Sequence, residues 1–192
     1  LGFFWGDGCL RKGENSTYLT INITKKDFLN IESPLTKHIN WTVKFHFPKD
    51  RQEQANLSFR GNRLGKFLLD NGYLTKSGGS ADKILSKIPE NLKHYWWRGY
   101  LDADGCIINN RKNEVSFSST YDQDWSFAIS TFNQLKIDKY FINKVKRENS
   151  ESSKIALCRL NNLTILLSYI YKDWNNIGLI RKYEKIDKIF KK

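Results

Sequence analysis

The sequence predicts an α+β protein built from two related halves, each with the element order α-β-β-α-β-β-α. A short phrase carries the first argument: Gly6-Asp7-Gly8-Cys9, after the apolar run Leu1 to Trp5, returns as Ala103-Asp104-Gly105-Cys106 after Gly99-Tyr100-Leu101-Asp102. Behind each copy the same succession of alternating and helical stretches follows in the same order. With 192 residues, 40% of them hydrophobic and 14% aromatic, the chain has enough apolar surface for a sizeable core, which excludes disorder.

In the first half, Tyr18 to Thr24 alternates, with Leu19, Ile21 and Ile23 on one face and Thr20, Asn22 and Thr24 on the other. This is the pattern of a half-buried antiparallel strand. Lys26 to Leu29 opens a helix reaching about Ile39, with Asp27 as its N-cap. Trp41 to Phe47 alternates again, which buries Trp41, Val43, Phe45 and Phe47 and exposes Thr42, Lys44 and His46. Gln54 to Arg60 reads as a fourth strand and Arg63 to Gly72 as a short helix with a glycine stop.

The second half repeats the order. Val115 to Tyr121 alternates, Gln123-Asp124-Trp125 opens a helix, Phe141 to Arg147 and Lys154 to Leu160 supply two strands, and a helix follows. Both halves end on a lysine near a helix start, Lys76 in Tyr73-Leu74-Thr75-Lys76 and Lys182 in Leu179-Ile180-Arg181-Lys182. Gly78-Gly79-Ser80 and Pro89 mark a linker, which divides the chain into residues 1–77, a connection of 78–92, and residues 93–192.

Lys and Arg total 32 against 20 Asp and Glu, a net charge of +12 spread through the chain, which fits a long polyanion lying across a folded surface. No stretch approaches the ~18 apolar residues of a membrane-spanning helix, and no secretory signal pattern opens the sequence, so a membrane is not an expected partner. The three cysteines are odd in number and lack C-x-x-C spacing, and the three histidines are scattered, so neither structural zinc nor a disulfide framework is expected. Cys9 and Cys106 are expected as small buried thiols. With no methionine in the sequence, Leu1 is not expected to be an initiator residue.

Small residues recur at four-residue spacing in both copies of the phrase, Gly2 and Gly6 in one, Gly99 and Ala103 in the other. Such spacing lets two helices approach closely, and the natural partner of each copy is the other. Packed side by side, the helices bring Asp7 and Asp104 together at their C-terminal ends. Two neighbouring carboxylates repel unless cations separate them. Mg2+ is the expected occupant, because it takes hard oxygen ligands and keeps waters and substrate phosphates. One ion then activates a water while another stabilises the leaving oxygen, which is metal-assisted phosphodiester hydrolysis.

These phrases resemble the LAGLIDADG motif, the second copy matching its last letters in kind through Gly99-Tyr100-Leu101-Asp102-Ala103-Asp104-Gly105. Across essentially its whole length the chain is similar to the single-chain, two-motif LAGLIDADG homing endonucleases. The resemblance implies an antiparallel saddle of two four-stranded sheets laid in adjacent DNA major grooves, with the two motif helices packed at the centre of two pseudo-symmetric halves. It implies a monomeric, magnesium-dependent, site-specific double-strand DNA endonuclease of intron homing, cutting a long, imperfectly symmetric site to leave short 3′ overhangs. Asp7 and Asp104 would bind metal, with Gly6 and Ala103 beside them. Lys76 and Lys182 match the basic residue the family places near each metal centre, where it polarises water or stabilises a charged oxygen. Lys25, at the end of the second strand and with Tyr121 as its counterpart, is a further catalytic candidate. Trp5 departs from the motif, standing where the second copy has the acid Asp102.

If the apolar sides of the strands are buried, alternation leaves Arg11, Gly13, Asn15, Thr20, Asn22, Thr24, Lys44, His46, Ser58 and Arg60 facing the groove in the first half. In the second half it leaves Asn110, Lys112, Ser116, Ser118, Thr120, Lys144, Lys146 and Lys154. Arg and Lys suit guanine, Asn suits adenine, and Ser and Thr adapt to either or to phosphate. Two other activities fit the same sequence: an RNA maturase acting on intron RNA, and a DNA-binding protein that does not cut.

Overall fold

In the computed structural model, residues 1–14, 16–36, 39–49, 52–110, 112–148 and 150–191 are described. Helix α1 (Gly2–Asp7) runs without a loop into strand β1 (Gly8–Lys12). Gly8 makes this abrupt exit sterically open, since a Cβ there would lie 2.4 Å from the Phe4 carbonyl oxygen. Strand β2 (Thr17–Thr24), helix α2 (Lys25–Thr36), strands β3 (Thr42–His46) and β4 (Gln54–Arg60) and helix α3 (Asn62–Asp70) complete the first half. Gly72 follows α3 at φ +83, a left-handed position that suits glycine.

The second half carries helix α5 (Lys93–Asp104), strands β5 (Gly105–Asn109) and β6 (Asn113–Ser119), helix α6 (Ser126–Gln134), strands β7 (Phe141–Arg147) and β8 (Ser150–Leu157), and helices α7 (Leu160–Ile170) and α8 (Ile180–Phe190). Between the halves, residues 78–92 hold helix α4 (Asp82–Leu85), which packs on α6 and buries Ala81, Ile84 and Leu85. Each half has one four-stranded antiparallel sheet, ordered β1-β2-β4-β3 in the first and β5-β6-β8-β7 in the second.

Period-two patterning divides each sheet into a dry and an open face. Leu19, Ile21, Ala55 and Leu57 turn inward against Phe28 of α2 and Leu68 of α3. In the second half, Val115, Phe117, Ile155 and Leu157 meet Phe127 and Phe132 of α6 and the leucines of α7. Helix α5 lies in the middle, with Tyr100 stacked on Phe117 at 5.2 Å and Trp97 on Phe127 at 5.6 Å between ring centroids. Each such side chain contributes about 1.5–3 kcal/mol on burial.

The structure departs from the alternation in places. Phe45 and Phe47 are 46% and 77% exposed rather than buried. Strand β3 is an edge strand, where Phe45 meets the Phe28 ring at 5.9 Å between centroids and has a strand neighbour on one side only, and Phe47 lies beyond the strand's end. Asp27 does not cap α2: Thr24 Oγ1 accepts the Asp27 N–H at 3.2 Å, which releases the Asp27 carboxylate for another partner. Helix α6 begins at Ser126, whose N–H is held by Asp124 Oδ1 at 2.8 Å.

The spacing of small residues in the motif helices acts as expected. A Cβ on Gly2 would sit 1.7 Å from the Trp96 carbonyl oxygen, one on Gly99 2.6 Å from the Phe3 nitrogen, and one on Gly6 2.4 Å from Ala103 Cβ. The backbones of α1 and α5 therefore touch along their length, and this contact joins the halves.

Candidate active site

Asp7 and Asp104 are the last residues of α1 and α5. Because the helices cross at Gly6 and Ala103, a Cβ on Gly6 would lie 2.9 Å from Asp104 Oδ2. Burial, and then the charge of Asp7, push the Asp104 carboxyl up to about 6. Burial raises Asp7 as well, opposed by the cations Lys182, Lys76 and Arg181. The fold thus holds two like charges together in a partly dry place.

Each helix end is closed by a lysine from the end of its own half. Lys76 Nζ donates to the carbonyl oxygens of Trp5 at 2.8 Å, Gly6 at 2.7 Å and Gly8 at 2.8 Å. Lys182 Nζ donates to those of Leu101, Asp102 and Gly105. Carbonyls at a helix C-terminus lack intrahelical partners and carry partial negative charge, and an ammonium has three protons, so each lysine is saturated by this duty. Burial lowers both ammonium groups, Lys182 to about 8. In this arrangement the lysines position the carboxylate-bearing ends and place positive charge beside them.

Trp5 and Asp102, unlike in sequence, do equivalent work. Trp5 packs edge-on against Tyr73 at 5.9 Å. Asp102 Oδ2 accepts the N–H of Leu179 at 3.0 Å, and Leu179 holds the position in the second half that Tyr73 holds in the first. Both residues fasten a motif helix to the segment carrying its lysine. The ring makes by packing the attachment that the acid makes by a hydrogen bond.

Two clefts open from the helix ends toward the open faces of the sheets. One, of about 190 Å³, is lined by Asp104, Lys76, Ser118, Thr120 and Gln123 among others. The other, of about 180 Å³, is lined by Asp7, Asn22, Thr24, Asp27, Gln54 and Arg181 among others. Among the described residues no group of three or more His, Cys, Asp and Glu side chains converges. Hard anionic oxygens, two in number and mutually repelling, suit a cation that completes its shell with waters and phosphate oxygens, so the residues present fit Mg2+. Of the neighbouring carbonyls, that of Gly6 is taken by Lys76, whereas neither lysine bonds that of Ala103.

No protein-family model matches the chain. It is 24% identical over 167 residues to an uncharacterised protein of Methanocaldococcus jannaschii; the match covers 84% of this chain, which spans 57% of that relative's length. Among solved structures, a lysine-to-alanine variant of I-SmaMI matches with a TM-score of 0.59 at 12% identity, over 99% of this chain and 88% of that one. The LAGLIDADG meganuclease I-AabMI, bound to uncleaved DNA, matches with a TM-score of 0.58 at 14% identity, over 99% and 87% of the two chains. The LAGLIDADG homing endonuclease I-GzeII, in complex with its DNA target, matches with 0.58 at 10% identity over the same shares. The chain has the fold of the LAGLIDADG homing endonucleases.

On the open face of the first LAGLIDADG sheet, the strand register lines residues into rows: Arg11, Tyr18 and Arg60; Thr20, Ser58 and Thr42; Asn22, Asn56 and Lys44; Thr24, Gln54 and His46. All the first-half groove residues expected on strands lie on this face, Gly13 follows β1, and Asn15 is outside the described residues. Tyr18, Gln54 and Asn56 are additions that alternation already implied. Cys9 is exposed opposite Thr20 and Cys106 is exposed opposite Ser116, so these thiols line the open faces instead of the core.

The second sheet requires corrections. Lys144 and Lys146 pair with Ser153 and Glu151, which puts them on the face opposite Lys154, and Asn143, Val145 and Arg147 take the open side. Strand β7 is an edge strand with apolar residues on both faces, so its hydrophobic pattern left the phase undetermined. Ser116 is on the open face but only 2% exposed. An ion pair between Lys154 and Glu114, at 2.9 Å, spans the rows on either side of it, and this pair also neutralises Lys154. Ser118 and Thr120 line the Asp104 cleft, and Asn110 and Lys112 are exposed in the β5–β6 turn. Lys25 does not line the Asp7 cleft, because Glu53 holds it at 3.0 Å and it lies over the Phe45 ring.

Proposed function

We propose that the protein is a site-specific double-strand DNA endonuclease that hydrolyses one phosphodiester in each strand with divalent-metal assistance, Mg2+ being the expected ion. The observation that carries this reading is the placement of Asp7 and Asp104 at one helix crossing, each opening into a cleft walled by the polar face of a different sheet. Polar faces of this kind match the major groove, where Arg11, Arg60 and Lys44 suit guanine and Asn22 and Asn56 suit adenine. The net charge of +12 supplies the attraction to phosphate that makes a long duplex the natural ligand. DNA complexes of I-AabMI and I-GzeII, which share the fold, support the same docking.

In this reading Asp7 and Asp104 would hold the ions with their carboxylates, with the Ala103 carbonyl as a further oxygen donor nearby. The bound ions would supply Lewis-acid charge and an activated water. Lys76 and Lys182 fix the helix ends, so the carboxylates meet the two scissile phosphates at a set separation and cutting leaves short 3′ overhangs. One chain supplies both centres and acts as a monomer, with residues 1–77 and 93–192 as the DNA-reading halves and 78–92 joining them. The equivalent rows Thr20, Ser58, Thr42 and Ser116, Ala156, Phe141 differ so far that an imperfectly symmetric target is expected. The test is incubation with a pool of randomised duplexes in Mg2+ or in EDTA, recovering cleaved and bound molecules separately. Recovery of one defined cleaved site in Mg2+ alone is expected. Sequence-specific binding without cleavage would demote the protein to a binding module, and preference for structured RNA would overturn the DNA reading.

A further inference from the structure

The two clefts are not chemically equivalent. Counting from the ladder pairs Gly8 with Ile21 and Gly105 with Phe117, Asp27 and Gln123 occupy the same position in their halves, just past the second strand. Both are only 5% exposed, and both reach across to the segment that carries the other half's lysine. Gln123 Nε2 donates to the carbonyl of Gly79, beyond Lys76, while its Oε1 accepts from Ser119. Asp27 instead takes a bidentate ion pair from Arg181, immediately before Lys182, with Nε to Oδ1 at 2.7 Å and Nη2 to Oδ2 at 2.8 Å.

A pair made through Nε and Nη2 leaves the Nη1 amino group of the guanidinium outside it. The Arg181 side chain is 47% exposed while that of Asp27 is 8% exposed, so the carboxylate anchors the arginine from beneath and leaves its other edge accessible. Arg181 lines the Asp7 cleft, and its charge acts on Asp7. The corresponding place in the first half is Thr75, and the Asp104 cleft has no guanidinium in its lining. A bidentate arginine is far stiffer than a free one, and a stiff guanidinium beside a carboxylate that holds a cation matches a phosphate oxygen in shape and charge.

We infer that Arg181, oriented by Asp27, binds the scissile phosphate in the Asp7 cleft, so the two strands are cut by centres of unequal composition. The inference rests on the endonuclease reading above. Arg181 is then a phosphate-binding residue of one centre and Asp27 a positioning residue behind it, while Gln123 does only the positioning in the other.

The experiment follows both strands of a supercoiled plasmid carrying the target recovered from the randomised pool, in Mg2+, with wild type, Arg181→Met, Arg181→Lys and Asp27→Asn. Arg181→Met is expected to slow cutting of one strand on the order of 10²-fold and to leave the other within about 3-fold, so nicked circles accumulate with the break always in the same strand. Arg181→Lys restores part of the rate, and Asp27→Asn slows the same strand to a lesser degree. Equal slowing of both strands, or no slowing, with wild type still producing linear plasmid overturns the inference and leaves the endonuclease reading standing. If wild type produces no cleavage, that reading fails, and the salt dependence of duplex binding decides the residue's role. Loss of about one unit of log–log slope in Arg181→Met supports a phosphate contact, and an unchanged slope refutes it.

Discussion

Replacing Asp104 by Asn should make the metal-free protein more stable at neutral pH. Asp104 is pushed from 3.8 up to about 6, by burial first and by the charge of Asp7 second. The folded state therefore holds that proton more tightly than the unfolded chain, and the wild type loses stability as pH rises from about 4 through about 6. A shift of this size corresponds to about 3 kcal/mol for a fully dry group, and solvent at the cleft mouth reduces it to about 1.5 kcal/mol. Asn removes the charge and keeps the shape, so the variant should gain about 1.5 kcal/mol at neutral pH, or about 3–6 °C in Tm for a chain of this size. Toward pH 3 and below, about a unit under the unfolded value, the difference should fade, because the wild-type carboxyl is then mostly protonated in both states. Asp102, also raised to about 6 by burial, titrates in the same window, so only the difference between the two proteins isolates Asp104. Urea unfolding in EDTA across this range measures it. A variant less stable than wild type at neutral pH, or a difference independent of pH, would refute the electrostatic argument. Added Mg2+ should raise the Tm of the wild type and raise that of the variant less.

Other consequences follow from the same geometry. Lys182→Met strands three helix-end carbonyls and should cost about 3–5 kcal/mol in urea unfolding, with Lys76→Met less damaging because its site is more exposed. Gly99→Ala places a Cβ 2.6 Å from the Phe3 nitrogen and should force the motif helices apart at a cost of about 1–3 kcal/mol, whereas Gly13→Ala, whose nearest neighbour is the Ser16 carbonyl oxygen at 3.3 Å, should cost less. Arg60→Ala should weaken binding to the recovered duplex and relax base preference, while Lys144→Ala, on the opposite sheet face, should leave base preference unchanged in a competition assay.

Much of this arrangement was legible in the sequence because it rests on short-range periodicity and on duplication. The alternation of Tyr18 to Thr24 and the small-residue spacing at Gly2, Gly6, Gly99 and Ala103 each dictate a face, and the structure uses those faces. Where a segment lies at a sheet edge the signal fails, since Phe45 and Phe47 on one edge and Lys144 and Lys146 on the other lack a second neighbour to fix burial or phase. Long-range pairings were invisible for a different reason. Asp27 reads as a helix cap from its neighbours, and only the fold brings Arg181 to it and gives the capping duty to Thr24. Lys76 and Lys182 were legible as matched positions, but their bonds to the helix-end carbonyls depend on how each half closes on itself.

In the proposed function Asp7 and Asp104 form paired metal-dependent centres for cutting two DNA strands. Its most direct test compares wild type with Asp7→Asn and Asp104→Asn on the recovered target in Mg2+, scoring linear product beside duplex affinity. Wild type is expected to linearise the plasmid, and each variant to bind the duplex at least as well as wild type yet yield no linear product. Undiminished linearisation by either variant would contradict the pairing of these centres.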